Sequence, residues 1–254
     1  MPPSRRARSA IIGLSGPGPG WTARFHPMCG RFNQTASGEE VAEAFGLDET
    51  PALAPRYNIA PTQEVAVVGV RPKTSRCGLA LLKWGLVPRE SLGGERGFIN
   101  ARAETAWEKP SFREAFAHRR CLIPATGFYE WQKIDPKRRQ PWLLRLVSGR
   151  LFAFAGLWEP ATATPGAVPT CTILTTEPNE VTQPIHDRMP VILDPSEYTR
   201  WLDPAVTIPA EVRPLLRPFP AAAMTAYPVT TAVNNPSFDD PACLAPARPR
   251  EAAG

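Results

Sequence analysis

Gly127-Phe-Tyr-Glu-Trp-Gln-Lys-Ile-Asp-Pro-Lys-Arg-Arg-Gln-Pro-Trp-Leu-Leu-Arg-Leu-Val147 is the stretch from which the fold can be read. Residues 128–134 and 142–147 are aromatic and aliphatic, and the segment 135–140 between them is polar, basic and broken by a proline. That is the composition of two antiparallel strands joined by a turn. Side chains alternate along a strand, so Glu130 points away from the face that carries Tyr129 and Trp131. Two readings follow. Glu130 is either an exposed carboxylate on a wet face, or a buried one whose pKa is raised towards proton transfer at neutral pH.

Working outward, Val65-Ala-Val-Val-Gly-Val70 reads as a buried strand with residues 79–84 as its partner, and 151–157, 171–175 and 191–193 read as further strands. Ser37 followed by Glu40 has the form of a capping box and predicts a helix over 38–46. Short helices are also predicted over 111–118 and 196–202. Residues 89–97 are expected to form a flexible loop, and Pro51 and Pro55 force an extended run through 56–63. The sum is an α+β fold: one strand-rich domain of curved mixed β-sheets with a few short peripheral helices. Its expected bounds are 28–240. Residues 1–27 are read as a disordered leader or a misplaced start, and 241–254 as a disordered Pro/Ala tail.

The net charge of +5 suggests nucleic acid, but it does not belong to the domain. Residues 1–27 carry four arginines and no acid, and 241–254 add one net positive charge, which leaves 23 basic and 23 acidic residues between them. Any phosphate site must therefore be a local cluster. The five cysteines, 29, 77, 121, 171 and 243, lack the close pairing of a zinc motif. No metal or cofactor is called for. The apolar run at 10–14 is shorter than the ~7–15 residues of a signal peptide, and no run reaches the ~18 residues of a membrane helix. A reduced cytoplasmic setting follows.

Met28-Cys29-Gly30-Arg31-Phe32 holds the most distinctive chemistry. If synthesis starts at Met28 and that methionine is removed, Cys29 carries a free amine beside its thiol. Such an aminothiol condenses with an aldehyde to an imine, and the thiol closes a thiazolidine ring. The amine, with a pKa of roughly 7.7–8.0, is partly neutral near pH 7. The plainer alternative is a small buried hydrophobe. Asn100 ends an apolar run and suits either a turn or a ligand contact. His186 sits in the proline-bracketed loop Pro184-Ile-His-Asp-Arg-Met-Pro190, where it either caps a turn or reacts. Arg31, Arg102 and Arg188 each lie two residues beyond Cys29, Asn100 and His186, so convergence of the three would also assemble a phosphate clamp.

Met28-Cys-Gly-Arg-Phe, Arg56-Tyr-Asn-Ile-Ala-Pro61, Trp84-Gly-Leu, Asn100-Ala-Arg-Ala-Glu-Thr, Gly127-Phe-Tyr-Glu-Trp and Ile185-His-Asp-Arg-Met-Pro occur in that order. Together with Val233-Asn234, they resemble the SOS response-associated peptidase (SRAP) family, the abasic-site processing proteins, from 28 to about 245. The resemblance implies capture of an abasic site in single-stranded DNA by Cys29, in a protein of the nucleoid and the DNA-damage response. It implies that Asn100 holds the sugar, that Glu130 shuttles protons, and that His186 assists strand-end elimination or reversal. The same resemblance gives Arg31, Arg102 and Arg188 the flanking phosphates. A meeting with the replication machinery is compatible with this role and carries no motif of its own.

One departure stands out. The family's tryptophan in the loop after Pro88 is missing from Arg89-Glu-Ser-Leu-Gly-Gly, which leaves base stacking to Pro61 or Trp84. Two alternatives use the same residues: a thiol peptidase built on Cys29 and His186 that removes its own leader, and a non-covalent binder of single-stranded DNA.

Overall fold

The computed structural model describes residues 29–71, 76–91 and 97–247. The expected leader, the centre of the expected loop at 92–96 and the last seven residues lie outside them. Five strands close on themselves. β3 (Glu64–Val70) and β4 (Cys77–Trp84) form an antiparallel hairpin, and β3 meets β6 (Arg120–Ala125) where Val68 faces Leu122. β6 runs antiparallel to β9 (Phe152–Glu159), β9 to β10 (Thr170–Thr176), and β10 returns parallel to β4 with Cys171 beside Trp84. A closed ring leaves no open edge among these strands. β5 (Asn100–Arg102) lies parallel to β10, β11 (Met189–Pro190) antiparallel to it, and β12 (Ile192–Leu193) on β9.

Packed on the ring is a second, wholly antiparallel sheet in the order β13 (Met224–Pro228), β8 (Arg139–Leu146), β7 (Gly127–Lys133), β1 (Phe32–Gln34), β2 (Arg56–Ile59). The expected hairpin is its centre. Alternation sorts the ring's side chains into two cores. Cys121, Ile123, Phe152, Phe154, Cys171 and Ile173 join Phe32, Phe128 and Trp84 between the sheets. Leu122, Ala153, Ala155, Leu157 and Leu174 face outward, beneath the helices. α1 (Gly38–Phe45) has the capping box, Ser37 Oγ accepting from Glu40 N and Glu40 from Ser37 N, and it stops where Gly46 turns left-handed at φ +60°. α2 (Arg113–His118) and α3 (Tyr198–Leu202) fall where sequence places them, and α4 (Pro209–Val212) adds one turn. Among the described residues no helix is long and apolar enough to cross a membrane.

Several strands escape the sequence reading in whole or in part. β1 and β5 have three residues each, too few to show a period, and β13 sits among alanines and prolines. β6 contains Pro124, which argues against a strand, yet all six of its residues are buried. Proline is tolerated there because β3 reaches β6 only at Leu122, so no second ladder needs its N–H.

The expected disordered tail is corrected in part. Pro241–Leu244 forms a 3-10 turn capped by Asp240, Cys243 is fully buried, and Ala247 N–H donates to Pro228 O at 2.8 Å. This segment covers Tyr129, Leu143, Val229 and Val233 on the outer face of the second sheet. Small apolar residues suit such a cover, since they bring no side-chain polar groups to satisfy.

Asn58 ties this cover to the sheet. Fully buried in β2, it accepts from Arg31 Nη1 at 2.8 Å and donates through Nδ2 to the carbonyls of Val233, Asn235 and Phe238 at 2.7–3.2 Å. Removing the amide strands several buried polar groups at once. We therefore expect Asn58→Ala to lose about 2–4 kcal/mol of unfolding free energy in urea titrations. A loss below ~0.5 kcal/mol, the scale of a neutral surface change, would contradict this account.

Candidate active site

β1 enters the second sheet beside β7, with Phe32 opposite Phe128 and Tyr129 N–H donating to Arg31 O at 2.9 Å. One step beyond that rung, the backbone N–H of Cys29 donates to Glu130 Oε1 at 2.9 Å. Period two aims Glu130 into the same inter-sheet core as Phe128, where Cys29 also lies. Because the C-terminal cover dries the opposite face as well, neither face of β7 is wet here, and Glu130 is only 2 % exposed. Of the two readings of this carboxylate, the buried one holds.

Burial pushes the Glu130 carboxyl up to about 8; the hydrogen bond from Cys29 acts against this, and the charge of Asp187 adds to it. The Cys29 thiol is also pushed up, first by burial and then by Glu130. Cys29 has φ +39°, in the left-handed region that residues with side chains rarely adopt.

Asn100 reaches this core through a relay of backbone contacts. Gly85, at φ +135°, packs so tightly on Gly97 that a Cβ on Gly97 would lie 2.1 Å from Gly85 O. The bridge between Leu86 and Phe98 follows, and Trp84 Nε1 then fixes Ile99 O at 2.8 Å. Asn100 stands opposite Ile173, with both of its amide atoms buried and unpartnered among the described residues. An amide kept buried and unpaired costs stability, so its donor and acceptor call for a partner that the protein itself does not supply.

His186 is three-quarters or more enclosed in its loop, and Gln132 of β7 donates to Pro184 O at the loop's base. Its Nδ1 lies 3.2 Å from the Arg188 N–H donor and 3.0 Å from Asp187 Oδ1. Arg188 grips Glu104 with two hydrogen bonds of 2.6 and 2.8 Å and donates to Thr175 O. Arg31 donates to Asn58 and Val233 O and sits 5.6 Å from the Trp131 ring, while Arg102 is exposed. Pro61 lines a cavity of about 340 Å³ beside Gly85, Ile99 and Lys83.

Trp84 cannot be a stacking platform. It is fully buried, its ring edge-on to Phe32 at 5.2 Å and its N–H bound to Ile99 O. It is the strut that places Asn100. Asn58 and Glu104 went unassigned in the sequence reading, although both lie inside the ordered motifs.

The family model for SOS response associated peptidase (SRAP) matches residues 28–236. The chain belongs to the SRAP family. Abasic site processing protein YoqW of Bacillus subtilis is 43 % identical over 221 residues, covering 84 % of this chain and 97 % of YoqW. YobE of the same organism is 42 % identical over 217 residues, covering 83 % and 98 %. Abasic site processing protein HMCES of Mus musculus is 33 % identical over 65 % of this chain and 56 % of its own length. A crystal structure of a Bacteroides thetaiotaomicron protein superposes with a TM-score of 0.76 at 27 % identity, covering 87 % of this chain and all of that one. The SRAP motifs of this chain thus surround one core, in which Cys29 and Glu130 are in direct contact.

A buried acid with a raised pKa makes stability fall with pH. Between the ordinary glutamate range of ~4.3 and about 8 the folded chain holds a proton that the unfolded chain has released, so stability is greatest below ~4.3 and is lost as pH rises through 8. In the 254-residue chain, Glu130→Gln should flatten this decline between pH 5 and 8 by ~2–4 kcal/mol in urea titrations. Equal slopes in the two proteins would contradict the burial of an ionisable Glu130.

Proposed function

We propose that this protein processes abasic sites in single-stranded DNA by covalent capture on Cys29 after residues 1–28 are removed. The observation that carries this reading is the 2.9 Å contact between the Cys29 nitrogen and Glu130. It joins the one atom that becomes a nucleophile to a group fit to move protons. The names of the relatives YoqW and YobE support abasic DNA as the substrate class.

Maturation changes the nitrogen itself. While Met28 is attached, the Cys29 nitrogen is a peptide amide whose lone pair is delocalised, and it does not condense with aldehydes. Cleavage before Cys29 frees the amine and abolishes the peptide torsion that is now held at φ +39°. The freed α-amine, of pKa roughly 7.7–8.0 in the absence of neighbours, then stands against the buried carboxyl, and the two titrate as one coupled pair between which a proton can pass.

The amine adds to the aldehyde carbon of the ring-opened sugar as the C=O π bond breaks, and one amine proton passes to the resulting alkoxide to give a carbinolamine. Protonated Glu130 gives its proton to the new hydroxyl, which leaves as water and yields an iminium. The thiol adds to the same carbon while its proton passes to the Glu130 carboxylate, closing the thiazolidine and restoring Glu130. One water is lost in total. A thiol pushed up by burial needs a base at this step, and Glu130 has just become one. Asn100 offers a free donor and acceptor to the sugar, and His186 acts on the opened sugar at strand-end elimination or reversal. Arg31, Arg102 and Arg188 take flanking phosphates, and Pro61 offers a stacking edge. The thiol-peptidase alternative gains less from this site, since a peptidase thiol requires a lowered pKa.

The chain beginning at Cys29 should form a denaturation-resistant adduct with abasic single-stranded DNA, of mass equal to the two partners less one water, and none with intact DNA. Cys29→Ala should abolish it. Glu130→Gln should slow adduct formation by ~10²–10⁴-fold and leave reversible binding nearly intact. A stable adduct in folded Cys29→Ala would overturn the assignment.

A further inference from the structure

A second feature of the molecule lies on the far side of Glu104. That carboxylate is 47 % exposed and is held by the two-pronged grip of Arg188. Burial pushes its pKa up, but the hydrogen bonds from Arg188 and from its own backbone, and then the charges of Arg188 and Arg102, bring it below its usual value. On the other side of Glu104 is a pocket of about 470 Å³ lined by Ala103, Glu104, Ala210, Arg213, Pro214 and Leu216. The Arg213 guanidinium lies 4.4 Å from the centroid of the Trp107 ring, and Trp107 Nε1 donates to Glu104 O at 3.1 Å.

Glu104, already satisfied by Arg188, thus shares this part of the surface with Arg102, two residues before it, and with Arg213, which lines the same pocket. Among the described residues neither Arg102 nor Arg213 has an ion-pair partner. These two guanidinium groups lie on one patch of a domain whose 23 basic and 23 acidic residues balance overall. The patch starts where the proposed clamp ends, because Arg102 follows Asn100 in β5 and Arg188 follows His186 in its loop. A guanidinium held over an indole keeps donors free for a phosphate and a planar group on which a base can stack.

We propose that the pocket beside Glu104 is a further DNA subsite, in which Arg213, backed by Trp107, holds a phosphodiester and stacks a base of the strand beyond Arg102 and Arg188. Glu104 is then a positioning residue: it fixes the Arg188 fork and separates the two phosphate positions. This inference rests on the DNA reading above and extends the strand's path by one position that the ordered motifs do not contain.

The test uses the 254-residue chain and oligonucleotides carrying a tetrahydrofuran abasic analogue, which has no aldehyde and reports reversible binding alone. Strands are lengthened one nucleotide at a time on each side of the analogue, and affinity is read by fluorescence anisotropy over a range of salt. Arg213→Gln should bind long strands about 5–10-fold more weakly and short strands like wild type, with a salt slope reduced by about 0.7 on long strands only. Arg213→Lys should keep the slope, because charge is retained, and lose part of the affinity, because the flat stacking face is not. If wild type binds and Arg213→Gln matches it in affinity and slope at every length, the subsite is wrong and the capture reading stands. If wild type binds no such strand, the DNA reading falls and the subsite falls with it.

Discussion

The molecule depends on one hydrogen bond, from the nitrogen of Cys29 to the carboxylate of Glu130, made between two residues that are almost wholly buried. A carboxylate buried with a single donor is expensive, and the cost appears as a proton held to about pH 8. The fold supplies what keeps that arrangement in place. β7 pairs with β1 on one side and β8 on the other, the barrel closes over its inner face, and the C-terminal segment closes over its outer face. The surrounding packing offsets the stability lost at this one group.

The other site groups are set by rigid relays. Trp84 carries Asn100 through the carbonyl of Ile99, Asn58 carries Arg31 through a four-way amide, and Glu104 with Thr175 O carries Arg188. In each relay a buried or half-buried polar group is oriented by a partner that does no chemistry itself. A group held this way keeps its aim when substrate arrives, which is how preorganisation saves entropy at the reacting centre.

Much of this was legible in the chain. The 127–147 hairpin, the capped helix at Ser37 and the β3–β4 pair could be read because composition and period are local properties. The ordered motifs singled out Cys29, Asn100, Glu130 and His186 as candidates, and of these the structure puts Cys29 and Glu130 in contact. The burial of Glu130 was not legible, since alternation says which side chains share a face and not what covers it. The cover is a Pro/Ala segment more than a hundred residues away that reads as a frayed end. Trp84 was named for stacking because the loop after Pro88 lacks the family's tryptophan, and only the Phe32 contact and the Ile99 carbonyl reveal a buried strut. β6 stayed hidden because Pro124 breaks the local rule where the ladder happens not to need it.

The most direct test of the central claim is a carbon-13 titration of the Glu130 side-chain carboxyl in the 254-residue chain, assigned by comparison with Glu130→Gln. The account predicts a carboxyl resonance that titrates near pH 8, far from the ordinary glutamate range of ~4.3, and that moves together with the Cys29 amide signal. A Glu130 resonance that titrates near pH 4 with no change at the Cys29 amide would contradict it.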